Sequence, residues 1–420
     1  MFLKGIAQYI RNNYVRCSII LFILILTFFL ILIISPKRTH GDFDVYFRSS
    51  QNYLANAPVY VPHNGIEEFK YSPLFALLFS PLTFFNSTVA LYCWDILNII
   101  LLYMIFYLLY KLDQISFSKP QDIGIILCLF VLTHRFILSN ITLGQINILL
   151  CFLMVLTMYF EINKRYFWAS VALTFSLMIK FFPLVLLFYF ILKRRFCLAG
   201  YTVLMVIIFL LLPAIYSGFD LNLRYLHDWY VLLKSSPPHL FYSVRNNSFL
   251  SFYSWFFIAR HNAHYISGYY FLMEGLTPIV YQAWFITCMV FFSAFFYDAL
   301  LVKYNEIKIT YLDYSCLFIC GLLFNPLAYL NSLVFLIVPY FFILRYLFYL
   351  GLDRKNALIC VFLVLLGLML NIFDHKMFFN DAHRYYLFLQ YKPLMWTMIL
   401  LYLALFAAKH SLRRRSSNTY

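Results

Sequence analysis

Long uninterrupted apolar runs constrain this chain more than any other feature of its sequence. The first run, at 17–35, is CSIILFILILTFFLILIIS, and similar runs recur along the chain. It has about the 20 residues needed to cross the hydrocarbon core of a bilayer. Only 12% of the 420 residues are charged, against about one quarter in a soluble domain. The sequence therefore predicts an all-α polytopic membrane protein.

Basic residues occur in short clusters at the ends of these runs. The net charge of +15 therefore indicates membrane topology and not nucleic-acid binding. Short loops rich in Lys and Arg face the cytoplasm. The segments placed there are the N-terminal one with Lys4, Arg11 and Arg16, NKR at 163–165, KRR at 193–195, DRK at 353–355 and KHSLRRR at 409–415. We expect both termini in the cytoplasm and the chain in the plasma (inner) membrane.

Spans threaded between these clusters give the predicted helices. The first run is longer than the core of a secretory signal and no small-residue cleavage site follows it, so we predict a spanning helix there. The predicted helices are 17–36, 88–110, 122–139, 141–160, 166–180, 182–193, 197–216, 277–302, 312–324, 333–350, 357–373 and 393–408. Those at 166–180, 182–193 and 312–324 are too short to cross alone. Broken helices at membrane depth are tolerated where they line a cavity or pack on protein, so these short pieces point toward a site.

Two long segments, 37–87 and 217–276, lie on the extracytoplasmic side in this topology. Within the first, residues 71–86 are apolar but brief and hold two prolines, which predicts an interfacial or re-entrant helix. The second mixes aromatic with basic side chains, as expected of a segment in the headgroup layer.

The nine cysteines form no CxxC pair and have no Cys/His ligand spacing. Most lie inside apolar stretches, as small buried hydrophobic residues do. We therefore predict no metal site and no cofactor, with a divalent metal as the open alternative.

Two aspartates directly after the first span, Asp42 and Asp44, are the first candidates for chemistry. In GDFDVYFRSSQNYL they would lie at the outer membrane surface, where a general base can meet a lipid-borne substrate. Two other roles stay open: solvated loop charges, or a cap for a helix beginning near Val45. Spacing alone does not choose among these roles.

Lys180 lies between two short apolar pieces in SLMIKFFPLVLL. An ionisable residue at that depth is a functional candidate, and a cation there would suit a phosphate. The alternative is snorkelling to an interface, against which Pro183 argues because it breaks the helix beside the lysine.

Polar residues in two further motifs would hold sugar hydroxyls or phosphate. Gln145 and Asn147 begin a span in LGQINILL, and Arg245 and Asn247 lie in VRNNSF. Helix capping and interhelical hydrogen bonds are the alternative for these side chains.

Asp95 and Asp298, each within an apolar span, are residues that a transport pathway would use. Both lie within a turn or two of a predicted helix end, which favours local pairing. Together with Lys180, these two aspartates leave a second function class as an alternative: a transporter or flippase of lipid-linked saccharides.

Several motifs follow one another in an order that resembles a known family. DFDVYFRSSQNYLANAPVY and FKYSPLFALLFSPLTFF come first, then GQINILL at 144–150, KFFPLVLLFYFILKRR at 180–195 and NNSF at 246–249. Over residues 40–340 they resemble the polytopic mannosyltransferases of glycosyltransferase family 87. That family's pattern is an Asp-Phe pair, a Tyr-containing helix and a Tyr-x-Pro segment ending in Pro-Leu.

The resemblance implies the GT-C glycosyltransferase fold, a single domain over 1–420 with about 10–12 transmembrane helices and interfacial helices in the outer loops. It implies a transferase that moves a hexose, expected to be mannose, from a polyprenyl-phosphate sugar to a lipid-linked or glycan acceptor on the extracytoplasmic face. We expect this transfer to be inverting. Asp42 matches the family's catalytic base, with Asp44 as the fallback. The candidate substrate-binding residues are Tyr46, Tyr71, Gln145, Asn147, Lys180, Arg245, Asn247 and Asn331.

One motif departs from the family's pattern. Family members often have Pro-x-x-Trp-x-His late in the chain, and NPLAYLNSLVF here has Tyr329 and Asn331 at the Trp and His positions. This departure leaves open the sugar, the acceptor and any role carried by that histidine.

Overall fold

The computed structural model describes residues 41–61, 68–112, 120–234, 243–259, 265–266, 270–271, 278–301, 307–349, 354–374, 376–379 and 382–417. The predicted span at 17–36 and the basic residues before it lie outside these ranges. Two compact units make up the chain, and each is described by itself.

The first unit contains residues 1–124 and 135–236. Its helices are α1 (Gly41–Leu54), α2 (Pro73–Phe79), α3 (Ser87–Leu112), α4 (Pro120–Thr142), α5 (Asn147–Ile162), α6 (Tyr166–Ile179), α7 (Leu184–Leu192), α8 (Phe196–Leu211), α9 (Ala214–Ser217) and α10 (Phe219–Lys234), with a 3₁₀ turn at Ser80–Phe84. Residues 125–134 of α4 group with the second unit. Within the first unit, α3 packs on α5, α5 on α6, and α6 on α8.

The second unit contains residues 125–134 and 237–420. Its helices are α11 (Phe249–Ser254), α12 (Pro278–Leu301), α13 (Ile307–Phe324), α14 (Ile337–Tyr349), α15 (Arg354–Phe373), α16 (Ala382–Leu389) and α17 (Pro393–Ser417). Between α11 and α12, a π-helical turn at Trp255–Ala259 is followed by the antiparallel strands β1 (Tyr265–Ile266) and β2 (Tyr270–Phe271). Two 3₁₀ turns, Leu330–Leu336 and Lys376–Phe378, complete the unit.

Helices α15 and α17 of the second unit pack closely at a glycine. Thr397 Oγ1 donates a hydrogen bond to Gly367 O at 3.1 Å, and a Cβ at Gly367 would lie 3.4 Å from Thr397 Cγ2. Small residues at such contacts are typical of membrane helices, because they let the two backbones approach.

The predicted membrane-protein class is confirmed. Seven helical segments of the described chain are long and apolar enough to cross a bilayer: Ser87–Leu112, Gly124–Thr142, Phe196–Ser217, Pro278–Tyr297, Leu330–Tyr349, Lys355–Phe373 and Pro393–Leu412. Four shorter apolar segments accompany them: Pro73–Phe84, Asn147–Ile162, Tyr166–Ile179 and Thr310–Phe324. The two short helices predicted beside Lys180 are present, with 14 residues in α6 and 9 in α7.

One predicted helix, at 141–160, began six residues too early. Helix α4 continues to Thr142, and Gly144 then adopts a left-handed backbone conformation with φ of +62°. The Gln145 N–H donates to Asn140 O at 2.8 Å, which is the closing hydrogen bond of a Schellman motif with glycine at its left-handed position. Helix α5 therefore starts at Asn147.

Candidate functional site

Two glycines allow the start of α1 to pack closely against the turn between α4 and α5. Both have left-handed backbones, with φ of +48° at Gly41 and +62° at Gly144. A Cβ at Gly41 would lie 2.7 Å from Leu143 O, and one at Gly144 would lie 2.7 Å from Phe43 Cβ. The Asp42 N–H donates to Leu143 O at 3.0 Å. The turn therefore fixes the position of Asp42.

Replacing Gly144 by alanine is expected to lower the free energy of unfolding by more than about 1–2 kcal/mol. A left-handed backbone alone costs a residue with a Cβ about that much, and the new methyl group would overlap Phe43. Thermal unfolding of the purified chain in detergent measures the loss. The matched control is Gly200→Ala in α8, where a Cβ meets no atom within 4 Å. Equal melting temperatures for the two variants would contradict the prediction.

Helix α1 begins at Gly41, so the predicted start near Val45 is wrong. The left-handed Gly41 and its contact with Leu143 allow the helix to begin four residues earlier. Asp42 and Asp44 consequently lie in the first turn of α1 and do not precede it as caps. The positive end of the helix dipole at this turn favours a negatively charged carboxylate.

A cleft lies beside the first turn of α1, and we call it the Asp42 cleft. It is lined by Asp42, Val45, Tyr46, Glu68, Lys70 and Tyr71. Three of the predicted site residues therefore meet at one place. Asp44, the fallback base, does not line this cleft.

Two tyrosines close one side of the Asp42 cleft. The hydroxyls of Tyr46 and Tyr71 are hydrogen-bonded at 3.2 Å, and their rings meet edge to face with centroids 5.2 Å apart. Burial raises the pKa of Tyr46 well above its usual value, and the nearby Tyr71 hydroxyl and Asp42 carboxylate raise it further. The Tyr46 hydroxyl therefore stays protonated, as a hydrogen-bonding group and not a base.

Four predicted site residues form one hydrogen-bonded chain, which we call the polar relay. Lys180 Nζ donates to Asn147 Oδ1 at 2.7 Å. Asn147 Nδ2 donates to Gln145 Oε1 at 3.4 Å, and Gln145 Nε2 donates to Asp42 Oδ2. The lysine ammonium group can only donate, so the oxygen of the Asn147 amide must face it. Each amide then donates through its nitrogen to the next group, and the last N–H points at the Asp42 carboxylate.

The polar relay joins residues that are far apart in the sequence. Gln145 and Asn147 are buried, with 5% and 1% of their surfaces exposed, whereas Asp42 and Lys180 are half-buried. Lys180 follows the end of α6 in an extended conformation, and buried Pro183 precedes α7. The predicted helix break beside Lys180 is therefore present, and its ammonium group contacts an amide of the same unit.

The NNSF motif of the second unit holds two loops together. Asn246 Nδ2 donates to Pro326 O at 2.7 Å, and Asn246 Oδ1 accepts from Ala328 N at 2.9 Å. Ser248 Oγ accepts from Ser251 N at the start of α11. Asn247 Nδ2 donates to Arg245 O at 2.9 Å. These contacts match the capping and hydrogen-bonding alternative for the motif, and a role for Asn247 in binding substrate stays a prediction.

A lysine that the sequence did not single out supports the same loop. Lys392 is 1% exposed, and its Nζ donates to the carbonyls of Ser243 at 3.0 Å and Val244 at 3.2 Å. Burial lowers the pKa of Lys392 to about 7. Lys392 therefore fixes the start of the segment that carries Arg245 and Asn247.

The remaining candidates are dispersed in the described chain. Arg245 is exposed and Asn331 is half-buried in the 3₁₀ turn Leu330–Leu336, both in the second unit. Asp95 is fully buried in α3 of the first unit. The side chain of Asp298 lies outside the described part of the structure. The roles of all four stay predictions.

Sequence reasoning missed Glu68 and Lys70, which line the cleft with Asp42. The signal was an alternation of charged and aromatic residues in Glu68–Tyr71, next to a tyrosine that was already a candidate. The sequence does not distinguish a charged loop residue in solvent from one that lines a cleft. The alternation alone was therefore a weak signal for a site.

No group of three or more His, Cys, Asp or Glu side chains among the described residues could hold a metal ion. The relay and the cleft offer two carboxylates, amides, hydroxyls and ammonium groups. Such a set can accept a proton from a hydroxyl and bind an anionic, hydroxyl-rich ligand.

Comparison with known protein families identifies a match for this chain. The sequence profile of glycosyltransferase family 87 matches residues 69–326, more than half of the chain. The matched region contains Tyr71, Gln145, Asn147, Lys180, Arg245 and Asn247, and it begins after Asp42. No curated protein gives a significant match.

Proposed function

The chain belongs to glycosyltransferase family 87, and on that premise we propose that it transfers a hexose, with mannose as the expected sugar, from a polyprenyl-phosphate donor to a lipid-linked or glycan acceptor. As a membrane glycosyltransferase it requires a donor and an acceptor. We place the reaction on the extracytoplasmic face of the plasma (inner) membrane, in a single GT-C domain with both termini cytoplasmic.

The observation that carries this proposal is the polar relay, which ends on the Asp42 carboxylate inside a cleft. In the proposed reaction Asp42 accepts the proton of an acceptor hydroxyl. The acceptor oxygen forms a bond to the anomeric carbon while the bond from that carbon to the phosphate oxygen breaks. The electron pair leaves with polyprenyl phosphate, and the anomeric configuration is inverted in this single displacement.

The other candidates have supporting roles in this scheme. Gln145 and Asn147 hold and orient the carboxylate, and Tyr46 and Tyr71 bind sugar hydroxyls at the wall of the cleft. Lys180 stabilises the relay through its hydrogen bond to Asn147. Phosphate is a competent leaving group, so neither a second carboxylic acid nor a metal is required. In the second unit, Arg245, Asn247 and Asn331 are proposed to bind substrate.

Transfer of labelled mannose tests the proposal directly. The purified chain, reconstituted in liposomes, is incubated with radiolabelled polyprenyl-phosphate mannose and a membrane lipid extract. We expect label to appear in a new lipid or glycan product, separated by chromatography. The controls are reactions without extract and reactions with a labelled nucleotide sugar, which should give no product.

Two outcomes would overturn parts of the proposal. If no label moves to any lipid or glycan, the donor assignment fails. If the lipid donor crosses the bilayer unchanged in a protein-dependent manner, the chain acts as a flippase and not as a transferase. A parallel reaction with polyprenyl-phosphate glucose decides between mannose and glucose as the transferred sugar.

A further inference from the structure

The segment Glu68–Tyr71 forms one wall of the Asp42 cleft. Its two aromatic side chains are buried, and its two charged side chains are less so. Phe69 and Tyr71 are 2% and 8% exposed, with ring centroids 5.3 Å apart. Glu68 and Lys70 are half-buried and line the cleft. The segment therefore presents one carboxylate and one ammonium group to the same space as Asp42.

Three hydrogen bonds hold this segment in place. Trp229 Nε1 donates to Lys70 O at 3.1 Å, and Tyr60 Oη donates to Tyr71 O at 2.9 Å. The Ser72 N–H donates to Met178 O at 3.2 Å, two residues before Lys180. The backbone of Lys70 and of the two residues after it is therefore anchored to other parts of the first unit.

The two lysines near Asp42 differ in their surroundings. Lys180 directs its ammonium group to the Asn147 amide at 2.7 Å. No described residue forms a hydrogen bond or ion pair with the ammonium group of Lys70. The cleft also holds the carboxylates of Asp42 and Glu68, so an anionic ligand needs the positive charge of Lys70 to offset their repulsion.

We propose that Lys70 binds the phosphate group of the lipid-linked donor, and that Lys180 is a positioning residue acting on Asp42 through the polar relay. The inference rests on the proposed function and deepens it. As the bond from the anomeric carbon to the phosphate oxygen breaks, the phosphate gains one negative charge. The Lys70 ammonium pairs with that charge, which favours departure of polyprenyl phosphate.

Binding of the product lipid tests the role of Lys70 without requiring turnover. Tryptophan fluorescence of the purified chain is titrated with polyprenyl phosphate and, separately, with polyprenol of the same length. Lys70→Ala should weaken polyprenyl-phosphate binding by about ten- to a hundredfold, the usual range for a charge-assisted contact. Polyprenol binding should not change, and Lys70→Arg should retain most of the affinity.

Glu68→Gln is the matched control, because it removes a charge of opposite sign from the same segment. Its affinity for polyprenyl phosphate should stay equal or increase, since a repulsive carboxylate is lost. Lys70→Met replaces Lys70→Ala if the alanine variant does not fold. Unchanged affinity in the folded lysine variant, or equal wild-type affinity for the two lipids, would overturn the inference. The proposed function fails separately, if the wild-type chain transfers no label.

Discussion

Substitution of Asp42 by asparagine is expected to lower the rate of sugar transfer by about 10²- to 10⁴-fold, the usual contribution of a general base. Asparagine preserves the size of the side chain and its place in the first turn of α1, but its amide cannot take the proton of the acceptor hydroxyl. The measurement is the initial rate with saturating labelled polyprenyl-phosphate mannose. An unchanged melting temperature and polyprenyl-phosphate binding at least as tight as in the wild type would show that the fold and the donor site survive.

Asp44→Asn is the matched control for this experiment. The two aspartates are two positions apart in α1, which turns their side chains about 200° apart around the helix axis. Asp42 lines the cleft and accepts from Gln145, whereas Asp44 does not line it. The Asp44 variant should therefore lose far less activity. A large loss in Asp44→Asn with little effect in Asp42→Asn would make Asp44 the base instead.

Most helix positions were predictable because lipid is the partner of their apolar surface. A chain that must satisfy every backbone polar group inside the bilayer forms helices whose ends follow the apolar runs. The helix predicted at 88–110 is observed at Ser87–Leu112, and the helix predicted at 277–302 is observed at Pro278–Leu301. The predicted helix start at residue 141 was wrong, because a left-handed glycine, Gly144, ends α4 later in the chain than hydropathy indicates.

The candidate site was predictable in its residues but not in its contacts. Asp42, Gln145, Asn147 and Lys180 were each singled out as polar groups at a membrane surface or depth. No local pattern shows that Asp42 meets Gln145, 103 positions away, because that contact depends on how Gly41 and Gly144 dock α1 on a turn. The choice of Asp42 over Asp44 rested on family resemblance, and the cleft now gives it a geometric reason.

A buried ion pair in the second unit could also not be predicted from sequence patterns. Lys409 belongs to a basic cluster that the sequence assigns to the cytoplasmic tail. The structure instead continues α17 to Ser417, and Lys409 Nζ contacts Asp313 Oδ1 of α13. Their side chains are only 2% and 3% exposed. Basic clusters at span ends look alike in sequence, whether they are solvated or pair with a carboxylate on another helix.

Replacing Lys409 by methionine is expected to lower the free energy of unfolding by about 3–5 kcal/mol, the usual cost of removing one partner from a buried ion pair. Methionine keeps most of the apolar stem but removes the ammonium group that faces the Asp313 carboxylate. Unfolding in a graded denaturing detergent measures the loss. Lys234→Met, at an exposed lysine whose ammonium lies 4.5 Å from the Tyr230 ring, should cost less than about 1 kcal/mol.

The double variant Asp313→Asn with Lys409→Met separates the ion pair from simple packing. Removing both charges eliminates the buried carboxylate along with its partner, so most of the lost stability should return. If the two single effects add instead, the charges do not interact across α13 and α17, and the loss in Lys409→Met comes from packing alone. Sugar transfer by the double variant should remain near the wild-type rate, because neither residue belongs to the Asp42 cleft or the polar relay.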